Sequence, residues 1–128
     1  MTVLFVSASS TFTLPQGLLS SLCYVESRHR PSAYNKTDGS SPSLGICQIK
    51  LETAKTLGYS GTAKGLMKPA TNVYYAAKYL KKQLVRYKHD IQKAIAAYNA
   101  GTYFPDAKGQ PKNKQYVRKV LLAWASNR

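Results

Sequence analysis

Apolar residues recur at spacings of three and four along most of this chain, which is the period of helices that bury one face. The longest such segment begins at Pro69 and carries its lysine and arginine residues largely away from the apolar stripe. This pattern predicts an amphipathic helix of about five turns. No segment alternates apolar and polar residues as a strand would, and no segment repeats, so we predict an all-α fold. The apolar stripe consists of Val73, Ala76, Ala77, Leu80, Leu84 and Tyr87.

Start and stop signals bound four other predicted helices. Pro15 suits a first helical turn, and Asp90 can cap a helix. Gly58 and Gly101 end two of the helices. Residues 28–43 are rich in Ser, Asn, Asp, Gly and Pro, which predicts a long irregular loop directly after the first helix. The four helices are the segment from Thr13 to Glu26, Leu51–Leu57, Ile91–Ala100 and the segment from Tyr116 to Trp124.

The length of 128 residues fits one domain, which we assign to residues 15–128, with residues 1–14 as an N-terminal extension. The extension is uncharged and begins with an apolar run, so one interpretation of it is the remnant of a secretion signal. It lacks the basic segment and the longer apolar core that an intact signal needs. No stretch of the chain is long enough to cross a membrane.

Charge distinguishes this chain, because 19 Lys and Arg residues stand against 5 Asp and Glu residues and give a formal net charge of +14. Such a field attracts polyanions, including nucleic acid, anionic lipid and acidic cell-wall polymers. A basic nucleic-acid-binding module, one alternative for the function, would gather its cations on one groove-reading helix. Here the cations are scattered over several segments, so we expect no nucleic-acid partner.

The two cysteines, Cys23 and Cys47, are too few for a disulfide scaffold and lack the spacing of metal ligands. Both lie among apolar residues, which favours buried free thiols, although a bridge between them stays open. We predict no metal and no cofactor.

Glu26 is the best placed carboxyl group for general acid catalysis. It lies at the end of an apolar helix, where desolvation is expected to raise the pKa of a carboxyl group, as protonation of a glycosidic oxygen requires. The other acids have simpler roles, with Asp90 as a cap, Glu52 in the first turn of a helix and Asp106 as a loop charge. Asp38 is the only other acid near Glu26 in the sequence.

Several short motifs follow one another in a fixed order. They are Val25-Glu26-Ser27, Pro31-Ser32-Ala33, the segment Ser43–Ile49, Thr53-Ala54 with Leu57-Gly58, Leu66–Pro69 with Asn72, Ala97–Gly101, and Tyr116-Val117 with Val120. Together they resemble the signature of the soluble lytic transglycosylase family, the goose-lysozyme-like branch of the lysozyme superfamily. The resemblance covers residues 18 to about 124.

The resemblance implies a lysozyme-like fold, in which helices surround a central helix and leave a substrate cleft. It also implies cleavage of the bond between N-acetylmuramic acid and N-acetylglucosamine in peptidoglycan, with one glutamate acting first as acid and then as base. That glutamate deprotonates the 6-hydroxyl of the muramic acid itself, which yields a 1,6-anhydro end without water. We therefore expect a monomer that acts on glycan strands in the periplasm or the cell wall.

The roles of the family carry over to matching positions only. Glu26 takes the role of acid and base, Gln48 lies where the family's glutamine contacts sugar, and Tyr98 resembles the tyrosine that orients the glutamate. Phenol and amide groups suit these tasks, because they bind carboxyl and hydroxyl groups without carrying charge. The other predicted substrate-binding residues are Asn99, Asn35, Ser43 and Tyr116.

One departure from the family leaves the outcome of the reaction open. The loop between Glu26 and Gly45 is a few residues longer than the family norm and contains Asp38. Goose-type lysozymes, which hydrolyse, hold an aspartate at a comparable offset. If Asp38 activates water over the site, the chain is a muramidase that uses two carboxylates and not a lyase that uses one.

Overall fold

The computed structural model of the protein describes residues 2–36 and 41–127. Within these ranges helices dominate, which confirms the predicted all-α class. Seven helices are described where the sequence predicts about five, because residues 2–11 and 63–66 are also helical. The helices are α1 Thr2–Thr11, α2 Leu18–Ser27, α3 Leu51–Thr56, α4 Ala63–Leu66, α5 Pro69–Arg86, α6 Ile91–Ala100 and α7 Lys114–Asn127.

The core is built around α5, the predicted long helix of 18 residues. Pro69 opens it, where the missing backbone N–H leaves no hydrogen bond unmade. The helix packs against α1, α3, α4 and α6, while α7 packs against α2 and α6. Ala76 of α5 and Ala94 and Ala96 of α6 belong to one core cluster. Small side chains of this kind let packed helices approach closely.

Local signals set both ends of α6, as predicted. The Oδ1 atom of Asp90 accepts a hydrogen bond of 3.1 Å from the backbone N–H of Lys93, which satisfies one of the donors left open at a helix start. Gly101 follows the helix with φ of 88°, in the left-handed region that favours glycine. Tyr98 and Asn99 are therefore held at the C-terminal end of α6.

A small antiparallel sheet follows α2, which the sequence pattern does not indicate. Its described strands have two residues each, too few for an alternating pattern to appear in the sequence. Ser43 pairs with Asn35 on one side and with Lys50 on the other. The strands are β1 Tyr34–Asn35, β2 Ser43–Leu44 and β3 Ile49–Lys50, in the order β1-β2-β3.

The N-terminal helix α1 contributes to the same core as the rest of the chain. Its Phe5 and Ala8 belong to the buried cluster that also contains Leu18 and Leu22. The division of the chain at residue 14 stays a prediction. Among the described residues, no helix is both long enough and apolar enough to span a membrane.

Cys23 and Cys47 form a disulfide, so the favoured interpretation as free thiols is wrong and the alternative of a bridge between them is right. Cys23 faces the core from α2, and Cys47 lies in the turn between β2 and β3. Apolar residues next to the two cysteines in the sequence, which favoured free thiols, surround the bridge in the core. The fold brings together two positions that are 24 residues apart, and the sequence contains no local signal of that approach. The bridge ties α2 to the turn that precedes β3.

Candidate active site

Glu26 lies in the last turn of α2 and is half-buried. Arg28 ends this helix with a left-handed φ of 57°, and its backbone N–H donates to the carbonyl oxygen of Tyr24. The hydroxyl of Ser27 donates a hydrogen bond of 2.6 Å to the carbonyl oxygen of Ile46. This bond and the disulfide hold the end of α2 against the turn between β2 and β3. The backbone of Glu26 is therefore fixed relative to that turn.

The carboxyl group of Glu26 is bound by a phenol from the last helix. Tyr116 on α7 donates from its hydroxyl to Oε2 of Glu26 at 2.6 Å. Val117 and Val120 anchor α7 because both are buried in the core. Burial raises the pKa of Tyr116 well above its usual value of 10, and the neighbouring charge of Glu26 raises it further. The phenol therefore stays a neutral hydrogen-bond donor in the neutral pH range.

Gln48 is held in a strained turn by its own side chain. Its φ is 54°, in the left-handed region. Its Nε2 atom donates to the carbonyl oxygens of Ala33, at 3.2 Å, and of Gly45, at 3.0 Å. Within the described part of the chain no hydrogen bond engages its Oε1 atom. The amide oxygen can therefore accept from a sugar hydroxyl, as the prediction for Gln48 requires.

A buried amide from α5 supports the same turn, although the sequence predicts no role in the site for it. Oδ1 of Asn72 accepts from the backbone N–H of Cys47 at 2.9 Å. Nδ2 of Asn72 donates to the carbonyl oxygens of Leu44, at 2.8 Å, and Leu66, at 2.9 Å. Gly45 is required beside it, because its φ is 79° and a Cβ there would collide with this amide. The sequence feature that could have indicated this role is the presence of Asn72 in one of the motifs that resemble the family.

Tyr98 has a different partner from the one that the resemblance implies. Its hydroxyl donates to the carbonyl oxygen of Cys47 at 2.9 Å and not to Glu26. Its side chain is 6% exposed, and this burial, followed by the charge of Glu26, raises the pKa of Tyr98 well above 10. Tyr98 thus positions the residue before Gln48. The phenol that contacts Glu26 comes from Tyr116, which the family resemblance predicts to bind substrate.

Two hollows adjoin at Glu26 and Gln48, which line both of them. The first hollow has a volume of about 200 Å³ and the second about 430 Å³. Among the described residues that line this cleft, Glu26 carries the one carboxyl group. The predicted residues Ser43, Tyr98 and Asn99 line the first hollow, and Asn35 lines the second.

The remaining acids have roles elsewhere or lie outside the described residues. Oε1 of Glu52 accepts from the hydroxyl of Ser41 at 2.7 Å. Asp90 caps α6, and Asp106 accepts two backbone N–H groups in its own turn. Asp38, the predicted second carboxylate, lies outside the described residues, so its role stays a prediction. In residues 2–36 and 41–127, no group of three or more His, Cys, Asp and Glu side chains could hold a metal ion.

Comparison with known protein families gives a match to this chain. The model of the family described as "Transglycosylase SLT domain" matches residues 4–120. The matched region begins within α1 and extends into α7, so it includes Glu26, Gln48, Tyr98 and Tyr116. The family resemblance that the ordered motifs predict is confirmed.

Proposed function

The chain belongs to the transglycosylase SLT domain family, whose members are peptidoglycan lytic transglycosylases, and on this premise we propose that Glu26 is its single acid and base. The proposed target is the β-1,4 bond between N-acetylmuramic acid and N-acetylglucosamine. The proposed product carries a 1,6-anhydro-N-acetylmuramic acid end.

The observation that carries this proposal is the hydrogen bond of 2.6 Å from Tyr116 to Glu26 in a cleft that has no second described carboxyl group. Ordinary glycosidases need two carboxyl groups at defined separations. A carboxyl group that a neutral phenol orients, and that is the one described carboxyl group of the cleft, suits a mechanism in which the same residue acts twice. The amides of Gln48 and Asn99 and the hydroxyl of Ser43 suit sugar hydroxyls around it.

The reaction proceeds in two steps. In the first, the protonated carboxyl group of Glu26 gives its proton to the oxygen that links the two sugars. The bond between that oxygen and C1 of the muramic acid then breaks, and its electron pair leaves with the oxygen. In the second, the Glu26 carboxylate removes the proton of the 6-hydroxyl while O6 bonds to C1. Glu26 is thereby protonated again, and no water is consumed.

Tyr116 positions the carboxyl group for both steps. Because its phenol stays neutral, it can donate to Glu26 when the carboxylate forms after the first step. A fixed carboxyl group that faces both the linking oxygen and the 6-hydroxyl lowers the entropic part of the barrier.

We propose that the protein acts as a monomer outside the cytoplasm, in the periplasm or at the cell wall. Its family acts on peptidoglycan, which lies there. The disulfide between Cys23 and Cys47 suits an oxidising compartment. The net charge of +14 retains the protein on a polymer that carries carboxylated peptides.

Solubilisation of purified peptidoglycan tests this function. Wild-type protein is expected to release soluble fragments, and Glu26→Gln to release none above background. Glu52→Gln is the matched control, because it removes the same charge from an exposed carboxylate outside the cleft. It should retain the wild-type rate. Equal release by wild-type protein and Glu26→Gln would refute the assignment of Glu26.

A further inference from the structure

Among the described residues, each hollow of the cleft is lined by one basic side chain, Lys50 in the first and Arg30 in the second. Lys50 is half-buried on β3, directly opposite Ser43. Arg30 is anchored through its Nε atom, which donates to the carbonyl oxygen of Ser27 at 2.9 Å. The two cations are therefore built into the walls on which Glu26 also lies.

The charged ends of both side chains are open to a ligand. In the described ranges, no hydrogen bond or ion pair engages Nζ of Lys50 or the two terminal nitrogens of Arg30. The one described salt bridge joins Lys114 and Asp106, so it engages neither of these cations. The ammonium group of Lys50, which is half-buried, is partly desolvated, and such a cation gains from binding a carboxylate. The guanidinium of Arg30 is exposed, and it can bind a carboxylate through two parallel N–H bonds.

Neutral sugar hydroxyls do not explain these two positions. Hydroxyl groups are matched by the amide and hydroxyl side chains that line the same cleft, such as Gln48, Ser43 and Asn35. A cation in a polysaccharide cleft discriminates only if the polymer carries anions. In peptidoglycan the peptides attached to the muramic acid residues supply carboxylates.

We propose that Arg30 and Lys50 determine specificity for glycan strands that carry carboxylated peptides, each binding one carboxylate in its own hollow. This inference rests on the proposed function, because it places the two carboxylates on the two sides of the bond that Glu26 cleaves. The net positive charge of the whole protein does not account for this specificity. That charge attracts any anionic polymer, whereas these are the only basic residues among the described ones that line the two hollows.

The test compares two substrates that differ only in their peptides: soluble glycan strands with intact stem peptides, and the same strands stripped of peptides by an amidase. Lys50→Met and Arg30→Gln each remove one charge, and Lys50→Arg keeps it. Lys82→Met is the matched control, because Lys82 is exposed on α5 and lies outside the cleft.

On peptide-bearing strands we expect KM to rise about fivefold in Lys50→Met and in Arg30→Gln, with kcat unchanged, since uniform binding is lost. On stripped strands the same variants should match wild type. Lys50→Arg and Lys82→Met should match wild type on both substrates. Thermal unfolding confirms that each variant is folded.

If Lys50→Met and Arg30→Gln raise KM equally on both substrates, or on neither, the inference is overturned. The proposed function still stands in that case, because the wild-type protein cleaves the strands. A KM increase in Lys82→Met as large as that in Lys50→Met would overturn the inference as well, because the overall positive charge of the protein would then explain the effect. If the wild-type protein cleaves neither substrate, the proposed function fails and this inference fails with it.

Discussion

The hydroxyl of Tyr116 donates a hydrogen bond of 2.6 Å to Oε2 of Glu26, a residue 90 positions earlier in the chain. The bond joins the last helix to the end of α2 and fixes the orientation of the proposed catalytic carboxyl group. Tyr116→Phe keeps the ring and removes the bond. We expect kcat to fall about 10- to 100-fold, with a smaller change in KM, since misplacement of a catalytic group costs factors of this size.

The control for Tyr116→Phe is Tyr74→Phe, which removes a phenol hydroxyl from an exposed ring on α5 outside the cleft. Initial rates of peptidoglycan solubilisation over a range of substrate concentrations separate kcat from KM. A Tyr116→Phe variant with wild-type kcat would show that this phenol does not position Glu26.

Tyr98 makes the folded state sensitive to alkaline pH. Burial, with a further contribution from the charge of Glu26, raises the pKa of Tyr98 well above 10. In the unfolded chain this phenol ionises near pH 10. Its stabilising contribution is therefore complete below about pH 10 and is lost as the pH rises toward the folded-state pKa, because the unfolded state then binds fewer protons.

The expected loss from Tyr98 is about 1.4 kcal/mol of unfolding free energy per pH unit in that window. Urea denaturation between pH 9 and pH 11 measures it. Tyr98→Phe should be less stable at neutral pH, because it loses the bond to Cys47, and should show a shallower alkaline decline. The same decline in both proteins would contradict the assignment.

The disulfide between Cys23 and Cys47 should stabilise the fold by about 3 kcal/mol, given the 24-residue separation of its cysteines. The bridge also connects two parts of the site, because Cys23 lies one helical turn before Glu26 and Cys47 directly precedes Gln48. Reduction of the wild-type protein should therefore lower both the unfolding free energy and the rate of peptidoglycan cleavage. Urea denaturation and rate measurements with and without reductant check this. The control is the double variant Cys23→Ala with Cys47→Ala, which should behave like the reduced protein and should not respond to the reductant. If the reduced wild-type protein is as stable and as active as the oxidised form, the disulfide does not stabilise the fold or the site.

Asn72 should be among the residues most costly to replace. Asn72→Ala removes the partners of three backbone groups that belong to Cys47, Leu44 and Leu66. Buried polar groups left without partners cost about 1–3 kcal/mol each, so we expect a loss of several kcal/mol of unfolding free energy. Gln115→Ala removes an exposed amide from α7 and should change stability by less than about 0.5 kcal/mol. Equal denaturation midpoints for the two variants would refute the role of Asn72.

The local features of this fold could be predicted from the sequence. The apolar period of α5, the cap at Asp90 and the stop at Gly101 each depend on residues close together in the chain. The ordered motifs identified the family and selected Glu26 from five acids.

The long-range contacts of the site could not be predicted. The pairing of Cys23 with Cys47 and the choice of Tyr116 over Tyr98 as the partner of Glu26 depend on how helices and strands pack. Two-residue strands leave no periodic signal. The role of Asn72 depends on the approach of α5 to a turn far from it in the sequence.

The identity of the sugar ends that the enzyme produces tests the central claim most directly. Purified peptidoglycan is digested with wild-type protein and with Glu26→Gln, and the fragments are analysed by mass spectrometry. A single acid and base predicts 1,6-anhydro-muramic acid ends from the wild-type protein and none from Glu26→Gln. Reducing ends that have gained a water molecule would contradict the lyase mechanism and would point to hydrolysis with Asp38 as the second carboxylate.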